Sequence, residues 1–145
     1  MEGNPHRLLI DAGSDIRRSL KEANISPTAL EGVYISHLHA DHSGGIPDIS
    51  LMNFFTKQNI SVVRNTGETD DSCKPTLYGV GTTLKDGWNK CWEGPLETLE
   101  LMEAKLDDFF NVRAIRKNDS FEFAGLKLTP FQTVHVVNGF SFQNS

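Results

Sequence analysis

The chain has 145 residues, 38% of them hydrophobic and 23% charged, which is enough for one domain with a substantial core. Its net charge of −5 disfavours nucleic-acid binding, because phosphate affinity depends on Lys and Arg. It has neither an apolar run near the ~20 residues of a membrane helix nor a signal-peptide pattern at its start. We therefore expect a cytoplasmic protein with no membrane partner, in which Cys73 and Cys91 are reduced thiols.

Apolar periodicity and turn residues predict alternating strands and helices along most of the chain. In chain order, these are a strand over residues 7–10, a helix over 15–23, a helical turn from Ser26-Pro27, a strand over 33–36, a helix over 46–57, a strand over 61–63, a polar loop over 65–75, a strand over 76–80, a helix over 82–92, a helical piece over 96–102, and strands over 109–115, 121–123 and 126–137. The pattern shows neither an internal repeat nor a clear boundary. We therefore expect residues 1–145 to form a single domain.

A histidine-rich segment directly follows the second predicted strand. His37, His39, Asp41 and His42 occur within six residues, and Ser43-Gly44-Gly45 follow them. Imidazole and carboxylate groups are among the ligands that hold zinc in proteins. The segment therefore predicts a metal site on the loop at the carboxyl end of a strand, where open α/β sheets place their chemistry. The alternative is a polar surface loop that contains histidines by chance.

The spacing within this segment predicts two groups of ligands. His37 and His39 lie two apart on extended backbone, so both can face one ion while Leu38 faces the core. Asp41 and His42 are adjacent, so we expect their side chains to diverge. They could serve a second ion beside the first.

Further residues are candidates to complete or support this site. His135, at the end of a long predicted strand, is the best candidate for a third ligand, the alternative being a histidine that only packs in the sheet. Asp11 is both a turn former and a candidate support that fixes the tautomer of a ligand histidine. We expect His6 to be a surface residue and Ser36 to be structural. Four aromatic residues are expected mainly in the core: Trp88, Trp92, Phe109 and Phe110.

Taken together, these residues resemble the metallo-β-lactamase superfamily. The matching pieces are Leu8-Leu9-Ile10-Asp11-Ala12-Gly13, the motif Ser36-His37-Leu38-His39-Ala40-Asp41-His42, the following Ser43-Gly44-Gly45, and His135 after a strand. The His-rich motif is the specific element, and the others support it. The chain is most similar to the ribonuclease Z and cyclic-phosphodiesterase branch.

The resemblance implies an α+β fold of the αββα four-layer sandwich type, with the metal site at one edge of the paired sheets. It implies that His37, His39 and His135 hold a first metal and that Asp41 and His42 hold a second. One or two Zn²⁺ ions are expected, with Mn²⁺ or Fe²⁺ as alternatives. A zinc-bound hydroxide would then attack a phosphodiester, with Asp41 as the catalytic residue that orients it or accepts its proton. Thioester or lactone hydrolysis is the enzymatic alternative.

The sequence also departs from the family pattern. The ten residues after His135 contain neither Asp nor His, and seven residues precede Leu8. We therefore expect a partial domain, truncated at both ends, with an incomplete second half and exposed strand edges that favour homo-oligomers. This leaves open a non-catalytic, metal-binding fragment whose missing ligands come from another chain or an absent C-terminal half. The expected partner is a small-molecule or nucleotide phosphodiester, and a longer nucleic acid is not favoured.

Overall fold

Two sheets and a set of short helices make up the fold. A computed structural model describes residues 5–99 and 102–133 and the backbone of residues 139–144. The strands are β1 (Leu8–Ile10), β2 (Gly32–Ile35), β3 (Thr76–Val80), β4 (Asn111–Ile115), β5 (Phe121–Phe123), β6 (Leu126–Thr133) and β7 (Gly139–Asn144). The α-helices are α1 (Ile16–Glu22), α2 (Ala40–Ser43), α3 (Ile46–Lys57), α4 (Ile60–Thr66), α5 (Gly81–Gly87), α6 (Glu93–Glu97) and α7 (Leu106–Phe109). A π-helical segment, Trp88–Trp92, joins α5 to α6.

The first sheet is parallel and has the strand order β1-β2-β3-β4, and the second is antiparallel with the order β5-β6-β7. In the first sheet, Ile10 pairs with Tyr34. The carboxyl ends of β1 and β2 therefore meet at the same edge. Helical segments connect the parallel strands, as parallel pairing requires.

Alternating residues of β2 face two separate cores. Val33 and Ile35 are fully buried against the helices, whereas Tyr34 between them is buried against the second sheet. This division follows from the twofold alternation of side chains along a strand. The described residues thus form three successive layers, namely helices, parallel sheet and antiparallel sheet.

The predicted incomplete second half fits these layers. Phe131 of β6 is 38% exposed and lies on the face opposite Leu128, so the described part of the chain leaves an apolar side chain uncovered on the outer face of the second sheet. A covering helical layer would complete an αββα sandwich, but the described residues do not form one.

Most predicted elements are confirmed, with small shifts at their ends. The predicted helix over residues 46–57 is α3, which has a proline in its first turn and Lys57 in its last. The predicted strand over residues 121–123 is β5. The predicted helix over residues 82–92 is present as α5 followed by the π-helical segment. No helix in the described part of the chain is both long and apolar enough to cross a membrane.

The predicted strand over residues 61–63 is wrong, because these residues lie in α4. The side chain of Asn59 accepts a hydrogen bond from the Val62 amide and so caps the helix start. Gly67 ends it in the left-handed conformation, with φ 73°. These end signals override the β propensity of the two valines.

Two further predictions need correction. Phe109 ends α7 rather than beginning a strand, because the Asp108 carboxylate accepts from the Lys105 amide and closes a helical turn. The histidine-rich segment is only partly a loop, since its second half forms α2. The predicted strand over residues 126–137 is confirmed from Leu126 to Thr133, and its remainder, including His135, lies outside the described residues.

Candidate metal centre

The candidate site lies at the carboxyl edge of the parallel sheet. Asp11 directly follows β1, and Ser36 and His37 directly follow β2. Because these two strands are parallel neighbours, their ends bring Asp11 beside Ser36 although 25 positions separate the two residues. The predicted position at the end of a strand is confirmed. Such edges are where open α/β sheets form ligand sites.

One carboxylate connects the two ends of the motif. The oxygens of Asp11 accept hydrogen bonds from the Ser36 amide (Oδ1, 2.7 Å) and from the Ser36 hydroxyl (Oδ2, 2.7 Å). Oδ2 also accepts from Nδ1 of His42 at 2.7 Å. The Ser36 hydroxyl lies 2.9 Å from Nδ1 of His37. Asp11 thus holds His42 directly and His37 through Ser36.

These contacts fix the tautomers of two histidines. A carboxylate only accepts hydrogen bonds, so Nδ1 of His42 carries the proton. The single hydroxyl proton of Ser36 is donated to Asp11, so the hydroxyl oxygen accepts from Nδ1–H of His37. In both rings the lone pair is therefore on Nε2, which is the nitrogen that a metal would bind.

The first histidine pair has the spacing of two ligands on one ion. Nε2 of His37 lies 3.1 Å from Nδ1 of His39, and the two ring centroids are 4.7 Å apart. Two Zn–N bonds of ~2.0–2.1 Å at a tetrahedral angle place their nitrogens about 3.3 Å apart. Without an ion, the same spacing accommodates a hydrogen bond from His39 to His37. Leu38, between them, packs against the helix-side core, as expected.

The second pair does not diverge, contrary to the expectation for adjacent residues. Oδ2 of Asp41 lies 3.5 Å from Nε2 of His42, because both residues lie on the single turn of α2. The Asp41 side chain is 79% exposed, whereas that of His42 is 35% exposed. The His42 ring lies 4.1 Å from the His37 ring, so the two pairs are adjacent.

Each pair supplies two donors. Within the described residues, no three His, Cys, Asp or Glu side chains come together as a group that could hold a metal ion. The donor types and spacings fit zinc, and each position needs further ligands from protein or water. The third predicted ligand, His135, lies outside the described residues, so its role stays a prediction.

Backbone contacts seat α2 against the end of β1. The Ala12 amide donates to the His42 carbonyl at 2.6 Å, and the Gly45 amide donates to the Ala12 carbonyl at 2.8 Å. A Cβ atom at Gly45 would overlap the carbonyl oxygen of Gly13. Glycine is thus required at position 45 by the close approach of two backbone segments.

Asp11 has an unusual backbone conformation and an electrostatic influence on the core below it. Its φ of 61° lies in the left-handed region, which Asp tolerates better than most residues. Burial, with a smaller contribution from the charge of Asp11, raises the pKa of the Tyr34 hydroxyl well above its ordinary value. Tyr34 therefore stays protonated beneath the site at any physiological pH.

Three residues besides the predicted ligands have defined contacts, namely Asp11, His6 and Ser36. Asp11 has both of its predicted roles, as turn former and as support for histidines. His6 is exposed, as expected, and pairs with Glu31 at 2.8 Å. Ser36 was expected to be structural, but its hydroxyl group connects Asp11 to His37 through two hydrogen bonds. The sequence signal for this role is the position of Ser36 between the end of a strand and the first histidine of the motif.

Solved structures of metallo-β-lactamase fold proteins superpose on this chain. The protein YhfI from Bacillus subtilis aligns with a TM-score of 0.66 at 17% identity, over 95% of this chain and 45% of that one. Zn²⁺-bound PqqB from Methylobacterium extorquens aligns with a TM-score of 0.58 at 20% identity, over 91% of this chain and 37% of that one. The fold and its edge site therefore define this chain as a metallo-β-lactamase fold protein, as the resemblance implied.

The particular family follows from sequence. The family profile described as Anti-Pycsar protein Apyc1 matches residues 1–143, and the chain belongs to this family. Proteins of that name from Bacillus phage vB_BveM-Goe7 and Paenibacillus harenae are each 30% identical, over 116 and 132 residues. These matches cover 80% and 90% of this chain but 40% and 48% of the relatives.

The chain thus spans about half the length of the curated Apyc1 relatives it matches. A shorter match to ribonuclease Z of Pyrobaculum islandicum is 36% identical over 58 residues, 40% of this chain and 20% of that protein. It supports the predicted branch of the superfamily.

Proposed function

We propose that this chain supplies the metal-binding motif of a metal-dependent hydrolase that acts on a phosphodiester. The observation that carries the proposal is the Asp11 carboxylate, which holds His42 directly and His37 through Ser36. Both rings then present Nε2 toward the cluster. Histidines that bind a metal usually donate their other ring N–H to a carboxylate or a similar acceptor, which fixes the orientation of the ring.

The chain's own groups have distinct roles in this proposal. His37 and His39 would hold one ion, joined by His135, and Asp41 and His42 would contribute to a second. When bound, a divalent ion would lower the pKa of a coordinated water and neutralise charge on the phosphoryl oxygens. Asp41, whose side chain is largely exposed, can accept the proton of the attacking water. Asp11 keeps the rings aligned while this happens.

The substrate class rests on chemistry and resemblance. The ribonuclease Z match and the resemblance to cyclic phosphodiesterases both favour a phosphodiester over a thioester or lactone. The name of the Apyc1 relatives says that those proteins act against Pycsar. The net charge of −5 favours a small nucleotide over a long polyanion. A cyclic nucleotide is therefore the substrate class we propose.

The first experiment measures metal content and turnover together. The purified chain is loaded with Zn²⁺ or Mn²⁺, analysed for metal, and assayed with bis-p-nitrophenyl phosphate, then with 3′,5′-cyclic nucleotides, a linear RNA and a thioester. We expect metal-dependent cleavage of the phosphodiesters, with cyclic nucleotides preferred to RNA. Thioester cleavage without phosphodiester cleavage would overturn the substrate class.

A second candidate function is metal binding without turnover. The observation in its favour is that the described donors come together in pairs rather than in a group of three or more. Stoichiometric metal with no hydrolysis of any phosphodiester or of the thioester would establish this candidate and contradict the first. Less than one metal per chain together with no turnover would contradict both.

A further inference from the structure

The turn that carries Asp41 and His42 needs support from outside itself. α2 has four residues, Ala40–Ser43, and so forms a single turn. Such a turn is unstable alone, because helix nucleation fixes several backbone angles for one hydrogen bond. Its terminal carbonyl groups also have no partner within the helix. Contacts with the rest of the molecule must therefore hold it.

Two contacts reach these terminal carbonyl groups. The His42 carbonyl accepts from the Ala12 amide at 2.6 Å, which is part of the site already described. The Ser43 carbonyl accepts from Nε1 of Trp92 at 3.1 Å, across 49 positions of sequence. Trp92 is fully buried, so this hydrogen bond lies in the helix-side core, where no solvent competes for it.

The π-helical segment explains how Trp92 reaches α2. The Glu93 amide donates to the Trp88 carbonyl, an i to i+5 bond that makes room for one extra residue in the turn. The Trp92 indole packs against Gly87, and a Cβ atom at Gly87 would overlap Cη2, Cζ3 and Cζ2 of the ring. The glycine thus provides the space that this ring position requires.

We propose that Trp92 is a positioning residue for the Asp41–His42 pair, holding the end of α2 through the Ser43 carbonyl. Gly87 and the π-helical segment set the indole in place. The consequence for the metal rests on the proposed function, whereas the effect on α2 can be measured without any metal.

The test compares Trp92→Phe with the wild type. Phenylalanine keeps an aromatic ring but cannot donate the hydrogen bond. In metal-free protein we expect the Ser43 and Gly44 amides to exchange with solvent about fivefold faster or more, as the loss of one hydrogen bond implies. In zinc titrations we expect the affinity to fall by the same factor, about fivefold, because the same hydrogen bond is lost. Phe121→Leu, a core change on the other side of the sheet, controls for general destabilisation.

A second pair of variants keeps the indole in the protein. Gly87→Ala should displace the ring and speed exchange at Ser43 and Gly44 in the same way. Gly94→Ala is its matched control, because nothing lies within 4 Å of an added Cβ there. This pair keeps the proposal falsifiable if Trp92→Phe does not fold.

The outcomes separate this inference from the proposed function. The inference is overturned if the Ser43 and Gly44 amides exchange no faster in Trp92→Phe and Gly87→Ala than in the respective controls. The inference is also overturned if the wild type binds zinc and the variants show faster exchange with unchanged zinc affinity. A wild type that binds no zinc contradicts the proposed function, and the exchange rates then still decide whether Trp92 holds α2.

Discussion

Oδ2 of Asp11 lies 2.7 Å from Nδ1 of His42, although 31 positions separate the two residues. The contact exists because β1 and β2 are parallel neighbours and α2 folds back over the turn that follows β1. One carboxylate thereby sets the tautomer of a histidine at the far end of the motif. The proposed metal site therefore depends on this relationship as well as on its ligands.

Replacing Asp11 by Asn should weaken zinc binding by about 10- to 100-fold. Asparagine also tolerates the positive φ at this position, so the backbone is not strained. Its side chain, however, lacks the charge and the second acceptor oxygen that serve Ser36 and His42. Competition with a chelator measures the change. Asp119→Asn, at an exposed carboxylate, is the control, and equal affinities of the two variants would contradict the role of Asp11.

Replacing Ser36 by Ala should break the connection from Asp11 to His37 and leave the direct contact between Asp11 and His42 in place. The buried Nδ1–H of His37 would lose its acceptor, which typically costs about 1–3 kcal/mol. Urea unfolding in the presence of a chelator should show this loss in metal-free protein. Ser120→Ala removes an exposed hydroxyl that pairs with Thr129 and should change the free energy of unfolding by much less. Equal losses in the two variants would argue against this connection.

Adding a methyl group at Gly45 should destabilise the protein by about 1–3 kcal/mol, because the turn after β1 leaves no space for it. Gly81→Ala is the matched control, since the nearest atom to its added Cβ is Ala114 Cβ at 3.8 Å. Thermal unfolding of the two variants checks the difference. A stable Gly45→Ala protein would show that α2 is not seated as tightly as the contacts indicate.

Association through strand edges remains a prediction. β1 and β4 lie at the two ends of the parallel sheet, and Val112 on β4 is 41% exposed. Sedimentation should show concentration-dependent oligomers that Val112→Lys weakens, since charges protect strand edges. Val62→Lys, at a similarly exposed position on α4, should have no effect. A wild type that stays monomeric at high concentration would contradict this prediction.

The local chemistry of the site could be predicted from sequence because it is encoded locally. The ligand types lie within six residues, and an apolar run followed by a turn residue places Asp11 at a strand end. The convergence of Asp41 and His42 could not be predicted in this way. It depends on a helical turn that the loop interpretation of the motif did not contain.

The contact between Trp92 and the end of α2 could not be predicted from sequence patterns. The bond from Trp92 to the Ser43 carbonyl depends on a π-helical turn, which shifts the ring out of the ordinary 3.6-residue period. The mistaken strand at Val62 and Val63 has a different origin. The β propensity of the two valines favours a strand, whereas Asn59 and Gly67 carry the capping signals of a helix in the same sequence.

The most direct test of the metal site is zinc stoichiometry in the wild type and in His39→Ala. His39 has its Nδ1 within 3.1 Å of His37, so its loss should remove half of the first ligand pair. We expect at least one zinc per chain in the wild type and in the control His6→Ala, and a loss of bound zinc in His39→Ala with the fold retained by circular dichroism. Unchanged zinc content in His39→Ala, or a wild type without zinc, would contradict the account.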